Sequence, residues 1–143
     1  TVAAATEGYL LGVPAVALSL AGKPGRHFGS ACRVAEQLVT RWLAAPWSGP
    51  ALLNVNVPDI PPEQLGPLQV TRLGRRHHAE PVIRSQNPRG ETVYWVGGVG
   101  AAQDAGPGTD FHTVAAGAVS LTPLQLDLTA HSALDPFSAW LAS

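Results

Sequence analysis

Apolar positions along the first third of the chain follow two rhythms in turn. Thr1 can cap a helix over 2–11, with Gly12 as its stop and the small residues Ala3, Ala4 and Ala5 allowing close packing. The run 13–20 is apolar at nearly every position, as a strand buried on both faces would be. A Gly- and Pro-containing loop over 21–29 follows, and Ser30 can cap a second helix. In that helix Ala31, Val34, Ala35, Leu38, Val39 and Trp42 recur at helical spacing and form one stripe, and Pro46 ends it. Residues 51–57 then read as another strand, stopped by Pro58. Strand, helix, strand in this order predicts a right-handed parallel crossover.

The middle of the chain changes character. Pro58, Pro61, Pro62 and Pro67 punctuate a polar stretch, and 68–73 and 92–96 read as strands. Between them lie His77, His78, Pro81, Pro88 and Gly90, so the two segments are expected to form an antiparallel pair around a long excursion. The glycines of 97–108 predict loop. A short helix over 110–116 and a final strand over 118–124 follow. Asp135 can cap a last helix, with Pro136 at its favoured first position. The expectation is one α/β domain with a mostly parallel, Rossmann-like sheet, a hairpin excursion and a C-terminal arm.

Composition narrows the function classes. Hydrophobic residues make up 45% of the 143 and charged residues 13%, which suits a well-buried globular chain. The formal net charge is −1 and no basic block exceeds Arg75-Arg76, so neither a nucleic-acid polymer nor an anionic membrane is an expected partner. No uninterrupted apolar run is long enough to span a membrane, and no signal-peptide pattern opens the chain. The single cysteine, Cys32, excludes an internal disulfide and a Cys-based zinc site and reads as a small buried hydrophobe. A reducing cytoplasm is the simplest setting. Because Thr1 opens directly on a helical pattern, the chain is expected to be part of something longer.

Few residues carry chemistry on spacing alone. The five histidines show no zinc-ligand spacing, and His77-His78 reads as a solvated pair. Gly97-Gly98-Val99-Gly100 is not followed by a helical pattern that could supply a phosphate cradle. Thr1 would stand at a helix N-terminus, where free N–H groups favour an anion; on spacing alone a plain N-cap is the simpler reading. Thr109 or Asp110 can cap the short helix that follows. Leu124, Leu126 and Leu128 alternate with Gln125, Asp127 and Thr129, as at the end of a strand, and Asp127 and His131 are close enough in sequence to pair. Such a carboxylate can orient the histidine or raise its pKa, or the pair can be a loop salt bridge.

Taken in order, these segments resemble the SurE family of nucleotidases. Thr1-Val2-Ala3-Ala4-Ala5-Thr6-Glu7-Gly8 is similar to the family's helix that follows a Ser-Gly pair, and 13–19 to the strand after it. Leu53-Asn54-Val55-Asn56-Val57-Pro58 resembles its N-x-N-x-P segment. Asn87-Pro88-Arg89-Gly90 with Tyr94-Trp95 resembles its hairpin region. Gly108-Thr109-Asp110 and Val119-Ser120-Leu121-Thr122-Pro123-Leu124 resemble its closing segment, through Asp127 and Thr129.

The resemblance implies phosphomonoester hydrolysis of nucleoside 5'- and 3'-monophosphates, with short polyphosphate as a further substrate, assisted by Mg²⁺ or Mn²⁺. It implies that Thr1 lies on the phosphate side, that Asp127 and His131 support an active-site loop, and that Thr109 and Asp110 are adjacent to the site. It further implies a homodimer or homotetramer built through 72–96 and the segment after Pro123. The family's metal site uses an adjacent Asp-Asp pair, a Ser and an Asn, all before the position matching Thr1. This chain has no Asp-Asp, so no metal ligand is carried onto it. The chain therefore reads as the C-terminal part of a single SurE-like domain, inactive alone. A reading of another class is a non-catalytic module that keeps only the assembling half; a third is an unrelated α/β binding domain. An Asp-Asp encoded upstream of Thr1 would favour the first.

Overall fold

The computed structural model describes residues 1–22, 24–49, 51–76, 81–98 and 100–143. Helix α1 (Val2–Leu10) ends at a turn in which Gly12 takes φ +80°, a conformation that suits glycine. Thr1 holds the N-cap position but its side chain makes no capping hydrogen bond. Strand β1 (Ala15–Ala21), helix α2 (Phe28–Ala44) and strand β2 (Leu52–Pro58) form the expected parallel unit, in register from Ala15 opposite Leu52 to Ala21 opposite Pro58. Strand β3 (Leu68–Val70) follows, then the short β4 (Arg75–Arg76), β5 (Ile83–Gln86), β6 (Thr92–Trp95) and β7 (Ala102–Asp104). Helix α3 (Asp110–Ala115), strand β8 (Val119–Pro123) and helix α4 (Leu134–Leu141) complete the chain.

The central sheet has the order β1-β2-β8-β3. The β1–β2 and β3–β8 pairings are parallel and β2–β8 is antiparallel, so the sheet is mixed with parallel pairing predominating. Val34 of α2 packs with Val55 and Val57 of β2 and Val119 of β8, and Leu18, Leu20, Leu38, Leu68 and Leu121 close around them. Side chains alternate across a strand, so Leu52, Asn54 and Asn56 face the other side, where α1 and α3 pack.

Several local expectations are corrected. Helix α2 begins at Phe28, with His27 at its N-cap position. Ser30 is buried inside it, donating its hydroxyl to the Ile60 carbonyl at 2.5 Å. Cys32 is exposed, because it follows the buried Ser30 and Ala31 around the helix and turns off their face. The segments 68–73 and 92–96 do not pair with each other. β3 joins β8, and β6 pairs antiparallel with β5 across the turn at 87–91. That turn is set locally: Asn87 Oδ1 accepts from Arg89 N and Glu91 N, and Gly90 takes φ +81°. The loop expected over 97–108 contains β7, which pairs antiparallel with β4. Residues 124–130 are not strand, and the last helix is entered through a 3-10 turn, His131–Ala133, that leaves Asp135 in its first turn rather than at its cap. His77 and His78 lie outside the described residues.

Candidate functional site

The register of the sheet gives it two ends with different inventories. β1 and β2 both finish at one end, at Ala21 and Pro58. Only residues 11–14 link α1 back to β1, and α1 packs on β1 and β2, so the helix must run against the strand. Nine residues of helix span roughly 14 Å and seven of strand roughly 23 Å. Thr1 therefore lies level with the later half of β1, beside the end where parallel α/β sheets hold their ligands. With no side-chain cap, the first N–H groups of α1 remain available to an anion there.

The same end carries a cluster that sequence reasoning missed. Asp59, the residue after β2, accepts hydrogen bonds from Arg26 N at 3.0 and 3.1 Å and from His27 N at 2.7 Å. His27 Nδ1 lies 3.1 Å from both Asp59 Oδ1 and the Asp59 carbonyl oxygen. The backbone N–H of His27, then that of Arg26, hold the Asp59 carboxyl below its ordinary pKa of 3.8; partial burial opposes this, and the His27 ring adds to it. The loop is fitted closely: Gly22 has φ +128°, and a Cβ there would stand 3.4 Å from the Asp59 Cβ. The sequence carried no signal for it: Asp59 directly follows β2, but His27 stands at the N-cap of α2, past the loop that follows β1.

The other end gathers most of the residues singled out from the sequence. Leu124 N donates to the Leu52 carbonyl, so the chain leaves the sheet where β2 begins. β3, parallel to β8, ends on the same side, and Arg72 just beyond it forms a parallel bridge with Thr109. Thr109 is fully buried and caps α3: its hydroxyl accepts from His112 N at 3.1 Å and donates to the Gly106 carbonyl at 2.7 Å. Asp110 Oδ1 accepts from Gly74 N at 2.8 Å and Phe111 N at 2.9 Å. Arg72 pairs with Asp104 through two contacts of 2.6 and 3.0 Å. The Arg72 hydrogen bonds, with its charge and that of Arg75, lower the Asp104 pKa against some desolvation. Thr109 and Asp110 thus have structural partners of their own.

Asp127 and His131 do pair, with His131 Nε2 2.7 Å from Asp127 Oδ2. The His131 hydrogen bond, then those of the Thr129 side chain and backbone N–H, draw the Asp127 carboxyl down to about 2. The arm that carries this pair leaves the sheet at the end opposite the one beside which Thr1 lies. Two of the motif segments do meet. Asn56 of β2 donates through Nδ2 to Ser120 Oγ of β8 at 3.3 Å, and Thr122 of β8 shares a 2.7 Å hydrogen bond with Thr71. Among the described residues no three His, Cys, Asp or Glu side chains converge as a metal site. A hard divalent cation wants several oxygen ligands, and these residues do not offer them together.

Fold and site define an α/β domain with a mixed sheet and a helix N-terminus, without a side-chain cap, beside the end where its paired parallel strands finish. Residues 1–80 match the family model described as Survival protein SurE. Over 141 residues, 99% of this chain, the sequence is 69% identical to a 5'-nucleotidase SurE of Chromobacterium violaceum and 59% identical to one of Laribacter hongkongensis. The crystal structure of the SurE protein from Aquifex aeolicus superposes with a TM-score of 0.76 at 34% identity, covering 100% of this chain and 57% of that one. The chain belongs to the SurE family. It spans 57% of the length of both curated relatives. No helix among the described residues is long and apolar enough to cross a membrane.

Proposed function

We propose that these 143 residues are the C-terminal part of a SurE-like domain, and that the whole polypeptide is a phosphomonoesterase acting on nucleoside 5'- and 3'-monophosphates. The observation that carries the reading is 69% identity, over nearly the whole chain, to a protein named 5'-nucleotidase SurE. The open N-terminus of α1 supports it, because Thr1 and the first N–H groups can receive a phosphate. Mg²⁺ or Mn²⁺, held by residues outside this chain, would neutralise charge building on the phosphoryl group. Asp127 and His131 would order a loop that supports the site, and the whole protein would assemble as a homodimer or homotetramer. Thr109 and Asp110 would keep the opposite end of the sheet in shape. Short polyphosphate is a further candidate substrate, and the cytoplasm the proposed location.

The test is direct. The full-length polypeptide should release phosphate from nucleoside monophosphates in the presence of Mg²⁺ or Mn²⁺ and stop when EDTA is added. Residues 1–143 alone should release none. Turnover by the isolated chain that EDTA abolishes would overturn the fragment reading, and a full-length protein inert toward every nucleoside monophosphate would overturn the nucleotidase reading.

A further inference from the structure

We infer that His27, held by Asp59, is a substrate-positioning residue whose Nε2 accepts a hydrogen bond from a sugar hydroxyl of the nucleoside monophosphate. The inference rests on the proposed nucleotidase reading and on a separate set of contacts. His27 Nδ1 faces two acceptors, Asp59 Oδ1 and the Asp59 carbonyl oxygen, both at 3.1 Å. In a neutral imidazole that places the hydrogen on Nδ1 and leaves Nε2 as an acceptor. Nε2 has no hydrogen-bond partner among the described residues, and the His27 side chain is 36% exposed while that of Asp59 is 15% exposed. The ring is thus fixed through Nδ1, with Nε2 unpartnered among the described residues.

Its position follows from the topology. Asp59 directly follows β2, and its contacts hold His27, at the N-cap of α2, to the same end of the sheet, the end toward which the N-terminus of α1 also points. The loop that carries His27 is closely fitted. Gly22 approaches Asp59, and a Cβ on Gly25 would stand 3.2 Å from Leu20 Cδ2. An acceptor at Nε2 disfavours the phosphate itself, whose oxygens are also acceptors, and favours a hydroxyl donor. A phosphate on the N-terminus of α1 would leave the nucleoside to extend along this edge. The competing account is that Asp59 merely latches the turn between β1 and α2.

The full-length enzyme separates the two accounts. With a nucleoside monophosphate, His27→Ala should lower kcat/KM by about 3- to 10-fold, mostly through KM, as expected for one lost hydrogen bond. With p-nitrophenyl phosphate, which has no sugar, the loss should be at least three-fold smaller. Equal losses on both substrates, or none on either, would overturn the inference. The wild-type protein gives an independent readout that needs no turnover. The ¹⁵N shift of His27 Nε2 should move on addition of AMP and not of inorganic phosphate. A polypeptide that hydrolyses no phosphoester yet shows this AMP-specific shift would sink the nucleotidase reading and keep the site. An unmoved Nε2, whatever the turnover, would sink the site.

Discussion

Thr71 and Thr122 share a hydroxyl–hydroxyl hydrogen bond of 2.7 Å between the end of β3 and the penultimate residue of β8, with both residues buried. Neither side chain is well placed to hydrogen-bond water instead, so the bond is worth most when one partner is taken away. Thr122→Val should cost about 1–3 kcal/mol, because it leaves the Thr71 hydroxyl buried without its partner. The double substitution Thr71→Val with Thr122→Val should recover much of that loss, since removing both partners by residues of the same shape is close to neutral. Urea denaturation of the two singles and the double closes the cycle. A double no more stable than Thr122→Val would show that the pair is not what matters there.

Gly74 is fixed by space rather than by an unusual backbone angle. A Cβ built on it would fall on the Asp104 carbonyl oxygen and the Phe111 ring, while Gly74 N is already committed to Asp110. Gly74→Ala should therefore destabilise the fold by about 1–3 kcal/mol, the usual cost of overpacking a fitted contact. It should also loosen the Arg76 guanidinium from its place 4.9 Å over the Phe111 ring. Gly98→Ala is the matched control, because nothing lies within 4 Å of a Cβ there. Thermal unfolding of both variants decides it; equal melting temperatures would refute the packing account.

What the sequence made legible was the part governed by local pattern. The stripe through Ala31, Val34 and Leu38 marked α2, the apolar runs marked β1 and β2, and the cap of α3, narrowed to Thr109 or Asp110, is Thr109. Pairing partners were not legible, because nothing in 68–73 or 92–96 says whether a strand meets its neighbour in sequence or one fifty residues away. β3 found β8, and β6 found β5. The Asp127–His131 contact was legible because both partners lie within four residues. The Asp59–His27 cluster was not, because it depends on β1 and β2 ending at the same level in the sheet.

The Asp127–His131 pair should lose its hold in acid. Asp127 has its carboxyl drawn from the ordinary 3.8 down to about 2, first by His131 and then by Thr129. A depressed carboxyl favours the folded arrangement above its ordinary value and gives that up as the pH falls toward its folded one. The contribution is therefore complete above about pH 4 and lost progressively toward pH 2. The ¹³C shift of the Asp127 carboxyl and exchange of the Thr129 amide should both report this window, and Asp127→Asn should abolish the carboxyl titration. In the full-length protein, Asp127→Ala and His131→Ala should each reduce turnover while leaving metal affinity nearly unchanged, with the double no worse than either single. Wild-type turnover in both singles would reduce the pair to a surface contact.

The last expectation concerns assembly. Leu134, Phe137, Trp140 and Leu141 are spaced as one stripe along α4 and are 53%, 58%, 66% and 66% exposed. Phe137 and Trp140 stack at 5.5 Å, and the helix packs mainly on the turn before it rather than on the sheet. In the β5–β6 hairpin Ile83, Tyr94 and Trp95 are also more than half exposed, so these aromatics do not cover a core of their own. Aromatic groups are common interface anchors, and a helix with this much open apolar surface wants a partner. The full-length protein should sediment as a dimer or larger at micromolar concentration. Phe137→Ser with Trp140→Ser should shift it toward monomer, as should Tyr94→Ser with Trp95→Ser if the hairpin forms a second contact. Because these side chains bury little in their own chain, the substitutions should leave the urea midpoint of the dissociated subunit almost unchanged. A wild-type protein that sediments as a monomer, or an α4 variant whose mass does not change, would remove α4 from the assembly.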